Sequence, residues 1–445
     1  MSDLPRKAVV RTARLAGLPL GYAGRTAVGL GRRLGGAPAE AVLTEVQQRT
    51  AEQLFRTLGE LKGGAMKFGQ ALSVMEAALP EELVAPYRAQ LTKLQDSAPP
   101  MSLSAVHVVL TRELGGGWRD QLVELEETPS ASASLGQVHR GRWHDGREVA
   151  VKIQYPGADK AFTSDLRQVA RLGRTFGTLV PGLDVKALVD ELLLRAEEEL
   201  DYRLEAEAQQ AFAEAFRDDP DYTVPEVVAA SERVLVTTWM ESTGSLAQLI
   251  DTADQDVRDH YGELYARFLF VGPARSGMLH ADPHPGNFRI LPTEDGTRGG
   301  LGIVDFGAVA RLPEGGLPPA MGKLLRIAAH DDYDQLLAEL RTEGFVKPSI
   351  KVDPQALQDY LAPFVEPTKY DEFTFGRDWL RSQFDRVTDP HEPGYTLQLK
   401  LNLPPSYLLI HRTVLGAVGV LSQLETTLAF RELLETHLPG FAEEE

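Results

Sequence analysis

The sequence predicts an α+β chain of two lobes preceded by a helical extension, and three observations carry that prediction. Between residues 121 and 243, short β-type runs alternate with turn signals. From residue 244 onward the pattern is mostly helical. Ahead of both, Leu54, Leu58, Leu61, Ala65, Phe68, Leu72 and Met75 recur in alternating steps of four and three, the apolar stripe of one helix. The chain therefore divides into a basic segment (1–36), a helical extension (37–120), a small lobe (121–243) and a large lobe (244–445). At 445 residues it is too long for one small core and suits two or three packed units.

Composition narrows the function classes. With 43% hydrophobic and 25% charged residues the chain is an ordinary globular one, so nothing in bulk composition points to disorder or a membrane bundle. The absence of cysteine excludes disulfides, thiolate metal sites and cysteine nucleophiles. A formal charge of -18 argues against nucleic-acid binding. The charge is uneven, however: residues 1–36 hold seven Lys/Arg against the single acid Asp3. This basic head reads either as a solubilising tail or as a contact for an anionic membrane surface. It lacks the apolar core of a signal peptide, because Arg and Gly interrupt it throughout. No window of about 20 residues reads as apolar enough to span a bilayer. The nearest, Thr413 to Leu424, reads as a buried helix. The expectation is a cytoplasmic protein, with the head as its means of peripheral membrane contact.

Within the extension, Lys67 and Gln70 lie three apart and project from one side of the predicted helix, as a surface pair beside a packing seam. Residues 101–120 form one more helix that closes at Gly115-Gly116-Gly117. In the small lobe, Ala131-Ser132-Ala133-Ser134 leads through small residues into a strand, and His144-Asp145-Gly146-Arg147 turns a hairpin. The following strand alternates, with Val149, Val151 and Ile153 on one face and Ala150 and Lys152 on the other. A lone strand lysine is usually an edge charge; one that comes after a small-residue loop can face a phosphate instead.

Asp184 caps a helix predicted to run to about Phe216, whose apolar stripe Val185, Val189, Leu192, Ala196 meets Glu199 at its next place. A carboxylate on an apolar face is costly unless paired. The same helix carries Asp201 close by and Glu205 on another side, so it offers acids in two directions to Lys152 and Lys67. Arg233 to Met240 reads as a buried strand entering Glu241-Ser242-Thr243-Gly244, a hinge where an adenine edge would meet backbone.

In the large lobe, a helix through Tyr261, Leu264, Tyr265 and Phe268 leads to His280-Ala281-Asp282-Pro283-His284-Pro285-Gly286-Asn287. Eighteen residues past Asn287 comes Asp305-Phe306-Gly307, on the second strand of a hairpin turned by Asp295-Gly296. An Asp and an Asn five positions apart, with a further Asp downstream, is the spacing of a phosphoryl-transfer site: one carboxylate near the transferred group, an amide and a second carboxylate for magnesium. A metal-hydrolase reading of His280, Asp282 and His284 fails, because Pro283 and Pro285 prevent the helix that would bring both imidazoles to one ion. The tail from about 317 is helical, interrupted between Pro363 and Pro405 by a polar stretch that reads as a mobile insertion.

Together these residues resemble the UbiB-type atypical kinases, the coenzyme-Q-linked branch of the protein-kinase-like superfamily, over roughly residues 45 to 310. Lys67-Phe68-Gly69-Gln70 is similar to that family's K-x-G-Q motif, and Ala131 to His139 to its alanine-rich loop with Ser132 in one alanine place. Val149 to Gly157, Glu199-Leu200-Asp201-Tyr202 with Glu205, His280 to Asn287 and Asp305 to Gly307 complete the set. Ala208 departs from the pattern, standing where the family often has Asn.

The resemblance implies a two-lobed protein-kinase-like fold with the N-terminal helices packed over the active site. It implies ATP and Mg²⁺ as cofactors, with Lys152 on the α/β phosphates and held by Glu205. Asn287 and Asp305 would hold magnesium, Asp282 would face the γ-phosphate, and Ala131, Ser132, Ala133 and Ser134 would cover the phosphates. Lys67, with Gln70, would reach Glu199 or Asp201, a lid that disfavours protein substrates. A lipid or quinone precursor is the implied partner, and isoprenoid-quinone metabolism the implied setting. Two other functions fit parts of the pattern: a small-molecule phosphotransferase of the aminoglycoside or choline kinase type, and an ATP-sensing scaffold without turnover.

Overall fold

Alternation of apolar residues builds the small lobe of the computed structural model, which describes residues 100–133, 135–157, 186, 190, 194, 198–293, 298–313, 315–388, 397 and 400–442. Helix α1 (Leu103–Leu114), capped by the Ser102 hydroxyl, and the short α2 (Trp118–Gln121) precede a sheet. Its strands are β1 (Leu122–Leu125), β2 (Ala131–Ala133), β3 (Gly136–Trp143), β4 (Glu148–Gln154), β6 (Val227–Ala230) and β7 (Val234–Thr238). They run antiparallel in the order β1-β3-β4-β7-β6, with β2 folded back on β3. The Asp145-Gly146 turn joins β3 to β4, and Gly146 takes the φ of +92° that such a turn asks of a residue without a side chain. Val149, Val151 and Ile153 of β4 bury one face completely, against Val106, Val109 and Leu110 of α1. Lys152 consequently points to the other face, as strand periodicity requires.

Helix α3 (Tyr202–Ala215) joins the lobes: Tyr202 and Ala206 pack with Leu235 of the sheet, while Phe212 and Phe216 enter the core of the large lobe. The predicted single helix from Asp184 to Phe216 is corrected here. Among the described residues of its first part, 186, 190, 194 and 198 are helical, but Glu199 and Leu200 form a turn and Asp201 is extended. The Asp201 carboxylate accepts from the Arg203 amide (3.0 Å) and so begins a new helix. The Tyr202 amide donates to the Glu232 carbonyl and Gln154 Nε2 to the Leu200 carbonyl, so the break is fastened to the sheet.

Beyond the hinge, β5 (Tyr222–Thr223), β8 (Gly244–Ser245), β10 (Phe288–Ile290) and β11 (Leu301–Ile303) make a second sheet ordered β5-β11-β10-β8. A two-stranded ribbon pairs β9 (Met278–His280) with β12 (Val309–Arg311). Helix α4 (Leu246–Thr252) leads to the long α5 (Gln255–Ser276), on which the large lobe is assembled. Phe268 of α5 lies within 6.3 Å, ring to ring, of Phe212, Phe216, Tyr222, His280 and Phe288. Close approach is enforced at Gly262, where a Cβ would stand 2.1 Å from the Thr426 hydroxyl.

The C-terminal part comprises α6 (Pro319–Ala329), α7 (Tyr333–Thr342), α8 (Pro354–Val365), α9 (Arg377–Thr388), α10 (Leu408–Leu424) and α11 (Phe430–His437). A small ribbon of β13 (Phe373–Thr374) and β14 (Thr427–Leu428) ties two of its segments together. Two expectations are corrected. The stretch from Pro363 to Pro405 is not an open insertion over its first half: Phe375 is fully buried, and Gln383 and Trp379 both donate to Glu366. The apolar run near the end is also longer than Thr413 to Leu424, because the helix starts ahead of His411-Arg412. Pro405–Leu424, at 20 residues, is long and apolar enough by length and composition to cross a membrane. It also has its most apolar window 61% buried, as a core helix would.

The Phe268 cluster generates a stability prediction. Phe268→Ala removes a ring that is 1% exposed and should cost about 3–5 kcal/mol. The thermal midpoint, followed by circular dichroism, should fall by roughly 10 °C; a drop within experimental error would mean that Phe268 does not anchor the core of the large lobe.

Candidate active site

Lys152 stands where β4, α3 and the end of β11 converge. Its Nζ donates to Glu205 Oε1 at 2.6 Å and to Asp305 Oδ1 at 3.0 Å. The Tyr202 ring lies 5.2 Å from the same nitrogen. Burial works against the ammonium, but the charges of Asp305 and Glu205 outweigh it and hold Lys152 well above the usual lysine range. Glu205 comes from the first turn of α3, set by the Asp201 cap, where the helix dipole also favours a carboxylate. Gly307 passes close to both carboxylates, since a Cβ there would stand 3.3 Å from Asp305 Oδ1 and 3.4 Å from Glu205 Oε2.

Asp305 is held in an unusual conformation, with φ of +65°, in the left-handed region that L-residues seldom enter. Its neighbours in the chain keep the turn in place. Phe306 is 1% exposed and packs against Phe212 and His280, each ring at 5.0 Å. Backbone bonds fasten both sides, from Val304 N to the Asn287 carbonyl and from Ala281 N to the Ala308 carbonyl.

The loop from His280 to Asn287 is equally fixed. The Tyr265 hydroxyl donates to the Pro283 carbonyl at 2.9 Å, and the Gly286 amide donates to His284 Nδ1 at 3.1 Å, starting a 3₁₀ turn over Pro285–Asn287. Asn287 Nδ2 donates to the Asp282 carbonyl at 3.4 Å, so these two residues belong to one turn. Burial pushes His280 and His284 below the ordinary imidazole range. His280 donates through Nε2 to the Val304 carbonyl. Both rings thus serve the loop.

The sequence-predicted residues sort into three groups. Lys152, Glu205 and Asp305 are in direct contact, and Asp282 and Asn287 share the adjoining loop. Ala131, Ser132 and Ala133 form β2, a strand that turns back onto β3 beside them. Glu241 is less central: its carboxylate pairs at 2.8 Å with Arg140, which also pairs with Glu148. Asp201 is taken by Arg203, which lowers its pKa, and Glu199 is half-buried in the turn before it. Lys67, Gln70 and Ser134 lie outside the described residues.

Sequence reasoning missed two supporting features. Tyr202 is buried beside Lys152, and its hydroxyl has no hydrogen-bond partner among the described residues. Its place three before Glu205, on the same side of a helix, is the signal that could have found it. A buried chain also runs through β3: Met101 N donates to Gln137 Oε1, Gln137 Nε2 to His139 Nε2, and His139 Nδ1 to the Glu126 carbonyl. Two polar residues alternating on a buried strand face were the available signal.

With this geometry in hand, comparisons with known proteins are informative. A family model for the ABC1 atypical kinase-like domain matches residues 93–339. "Atypical kinase COQ8B, mitochondrial" of Rattus norvegicus is 29% identical over 460 residues, covering 98% of this chain and 82% of the rat protein. "Atypical kinase coq-8, mitochondrial" of Caenorhabditis elegans is 30% identical over 459 residues, covering 99% of this chain and 59% of the worm protein. Several other relatives are matched over about half their length. Among solved structures, the Rv3197–erythromycin complex from Mycobacterium tuberculosis is 43% identical with a TM-score of 0.67, covering 92% of this chain and all of that one. Since the family model spans more than half of the chain and takes in the whole Lys152 cleft, the chain belongs to the ABC1 atypical kinase-like family, and is by class a kinase-like phosphotransferase or ATPase with a protein-kinase-like α+β fold.

Proposed function

We propose that this chain is an ATP- and Mg²⁺-dependent atypical kinase or ATPase of the UbiB type, acting in isoprenoid-quinone or related lipid metabolism. The observation that carries the reading is the buried Lys152, charged and gripped by Glu205 and Asp305 on the cleft side of the small sheet. In this reading Lys152 meets the α/β phosphates, and the loop of Ala131, Ser132 and Ala133, with Ser134 next in the chain, covers them. The hinge at Glu241 contributes backbone to the adenine, because its side chain is spent on Arg140. Asp282 lies at the transferred phosphoryl group. Its task is chiefly to orient, since a loose transition state asks little of a base.

Magnesium suits the donors present, which are hard oxygens: the Asp305 carboxylate and the Asn287 amide, whose nitrogen is turned toward the Asp282 carbonyl. Bound there, the ion would neutralise charge on the phosphate oxygens. The lid reading uses Lys67 and Gln70 against the acids at the α3 break. Asp201 is also engaged by Arg203, and either it or Glu199 is the acid that would meet Lys67. The basic head, with six more positive than negative charges, is assigned to an anionic membrane surface. A second reading has one observation in its favour: the 43% identical relative was solved with erythromycin, so a macrolide is a ligand to test in the same assay.

Three outcomes check the proposal. Asp305→Asn should abolish most of the thermal shift induced by Mg-ATP while leaving the chain folded; an undiminished shift would sink the nucleotide reading. Lys67→Arg or Glu199→Gln should alter ATP turnover or bring on self-phosphorylation, and two variants indistinguishable from the parent would remove the lid. Anionic liposomes should raise ATP hydrolysis by the full chain and leave a chain lacking residues 1–36 unaffected. Equal stimulation of both would take the membrane role away from the head.

A further inference from the structure

The helices of the large lobe frame a second space, partly open to solvent, which the nucleotide reading does not use. It measures about 400 Å³ and lies among α5, α6, α7, α8, α10 and α11. Leu340, Leu361, Val414 and Val418 are typical of its wall, and among the described residues no Asp, Glu, Lys or Arg contributes to it. The polar side chains in the wall are those of Tyr360, Asn402, Tyr407 and His411. Asn402 Nδ2 is already used, donating to the Gly344 carbonyl at 2.9 Å. His411 lies 5.9 Å from the Phe364 ring, and burial pushes its pKa down, so the imidazole stays neutral.

The space is many times the size of a water molecule and its wall is almost wholly apolar. Left open, that wall keeps apolar side chains hydrated, at about 25 cal/mol for each Å² held in water. Water there is poorly placed, since ordered waters want two to four polar partners each and most of this wall offers none. The volume instead falls in the range of small-molecule sites. A charged ligand would find no counterion inside. What fits is hydrocarbon of roughly a dozen methylene-sized groups, taking each at about the 30 Å³ that a water molecule occupies in the liquid, with one hydroxyl or carbonyl for the imidazole of His411.

We propose that this cavity is a binding site for an uncharged, lipid-like molecule: a prenyl or alkyl chain bearing a neutral hydrogen-bonding head. The site stands apart from the phosphate cleft, and the inference does not depend on the nucleotide reading. Helix α5 joins the two, lining the cavity with Phe270 and holding the His280–Asn287 loop through Tyr265.

The test titrates farnesol and 1-dodecanol onto the full chain, with laurate as the charged counterpart of equal chain length. The expected result is saturable binding of both alcohols with a raised thermal midpoint, and binding of laurate weaker by about tenfold or more. Val414→Trp and Leu361→Trp place an indole in the space and should each weaken alcohol binding by about tenfold or more. Both should keep the Mg-ATP-induced shift of the parent, which separates this site from the cleft. Absence of saturable alcohol binding by the parent overturns the proposal. So does laurate binding as tightly as dodecanol, or undiminished alcohol binding in the tryptophan variants. Should one variant fail to fold, the parent titration and the other variant still decide.

Discussion

The buried ammonium of Lys152 is the constraint on which the rest of the site depends. A lysine removed from water stays charged only where carboxylates replace the lost solvation. Here two do so, and they come from different parts of the chain: Glu205 from a helix that starts 50 residues later, Asp305 from a strand end in the other lobe. Removing one partner of such a pair typically costs about 3–5 kcal/mol, because the remaining charge is left stranded. The pairings therefore dock small sheet, bridging helix and large lobe at one point. A single side chain sets the spacing of the cleft.

Supporting layers keep that point rigid. The left-handed backbone of Asp305 is tolerated because Phe306 is clamped between Phe212 and His280. His280 and Tyr265 in turn bond to carbonyls of the strand and loop they serve. Strain at the carboxylate is thus offset by aromatic packing immediately beneath it. The same aromatic cluster includes Phe268 of α5, so the hydrophobic core of the large lobe and the orientation of Asp305 are one structure. Sites built on packed elements hold geometry better than sites on free loops.

How much of this was legible in the sequence depends on which interactions are local. The alternation of Val149, Val151 and Ile153 foretold that Lys152 faces away from the core, because strand period is a property of neighbours. Spacing from Asp282 to Asn287 and on to Asp305 was readable for the same reason. The break at Glu199 to Asp201 was not, since a continuing apolar stripe outweighed a cap whose fastening comes from Glu232 and Gln154, both remote in sequence. Nor was the packing of Phe375 and Trp379 within a stretch whose composition reads as polar loop. That segment is held by an acid, Glu366, and by a two-residue ribbon with Thr427 and Leu428, partners that no local pattern announces. Tyr202 shows the intermediate case: its helical spacing to Glu205 was visible, but its meaning required knowing where Lys152 lay.

The two carboxylates on Lys152 are not equivalent, and burial distinguishes their work. Glu205 is closer to the nitrogen, at 2.6 Å against 3.0 Å, and its side chain is 4% exposed where that of Asp305 is 33% exposed. An acid that deep can be neutralised by the lysine and by little else. The shallower one keeps part of its surface toward the cleft. Both acids hold the lysine, and of the two Asp305 is the one whose side chain stays open to solvent.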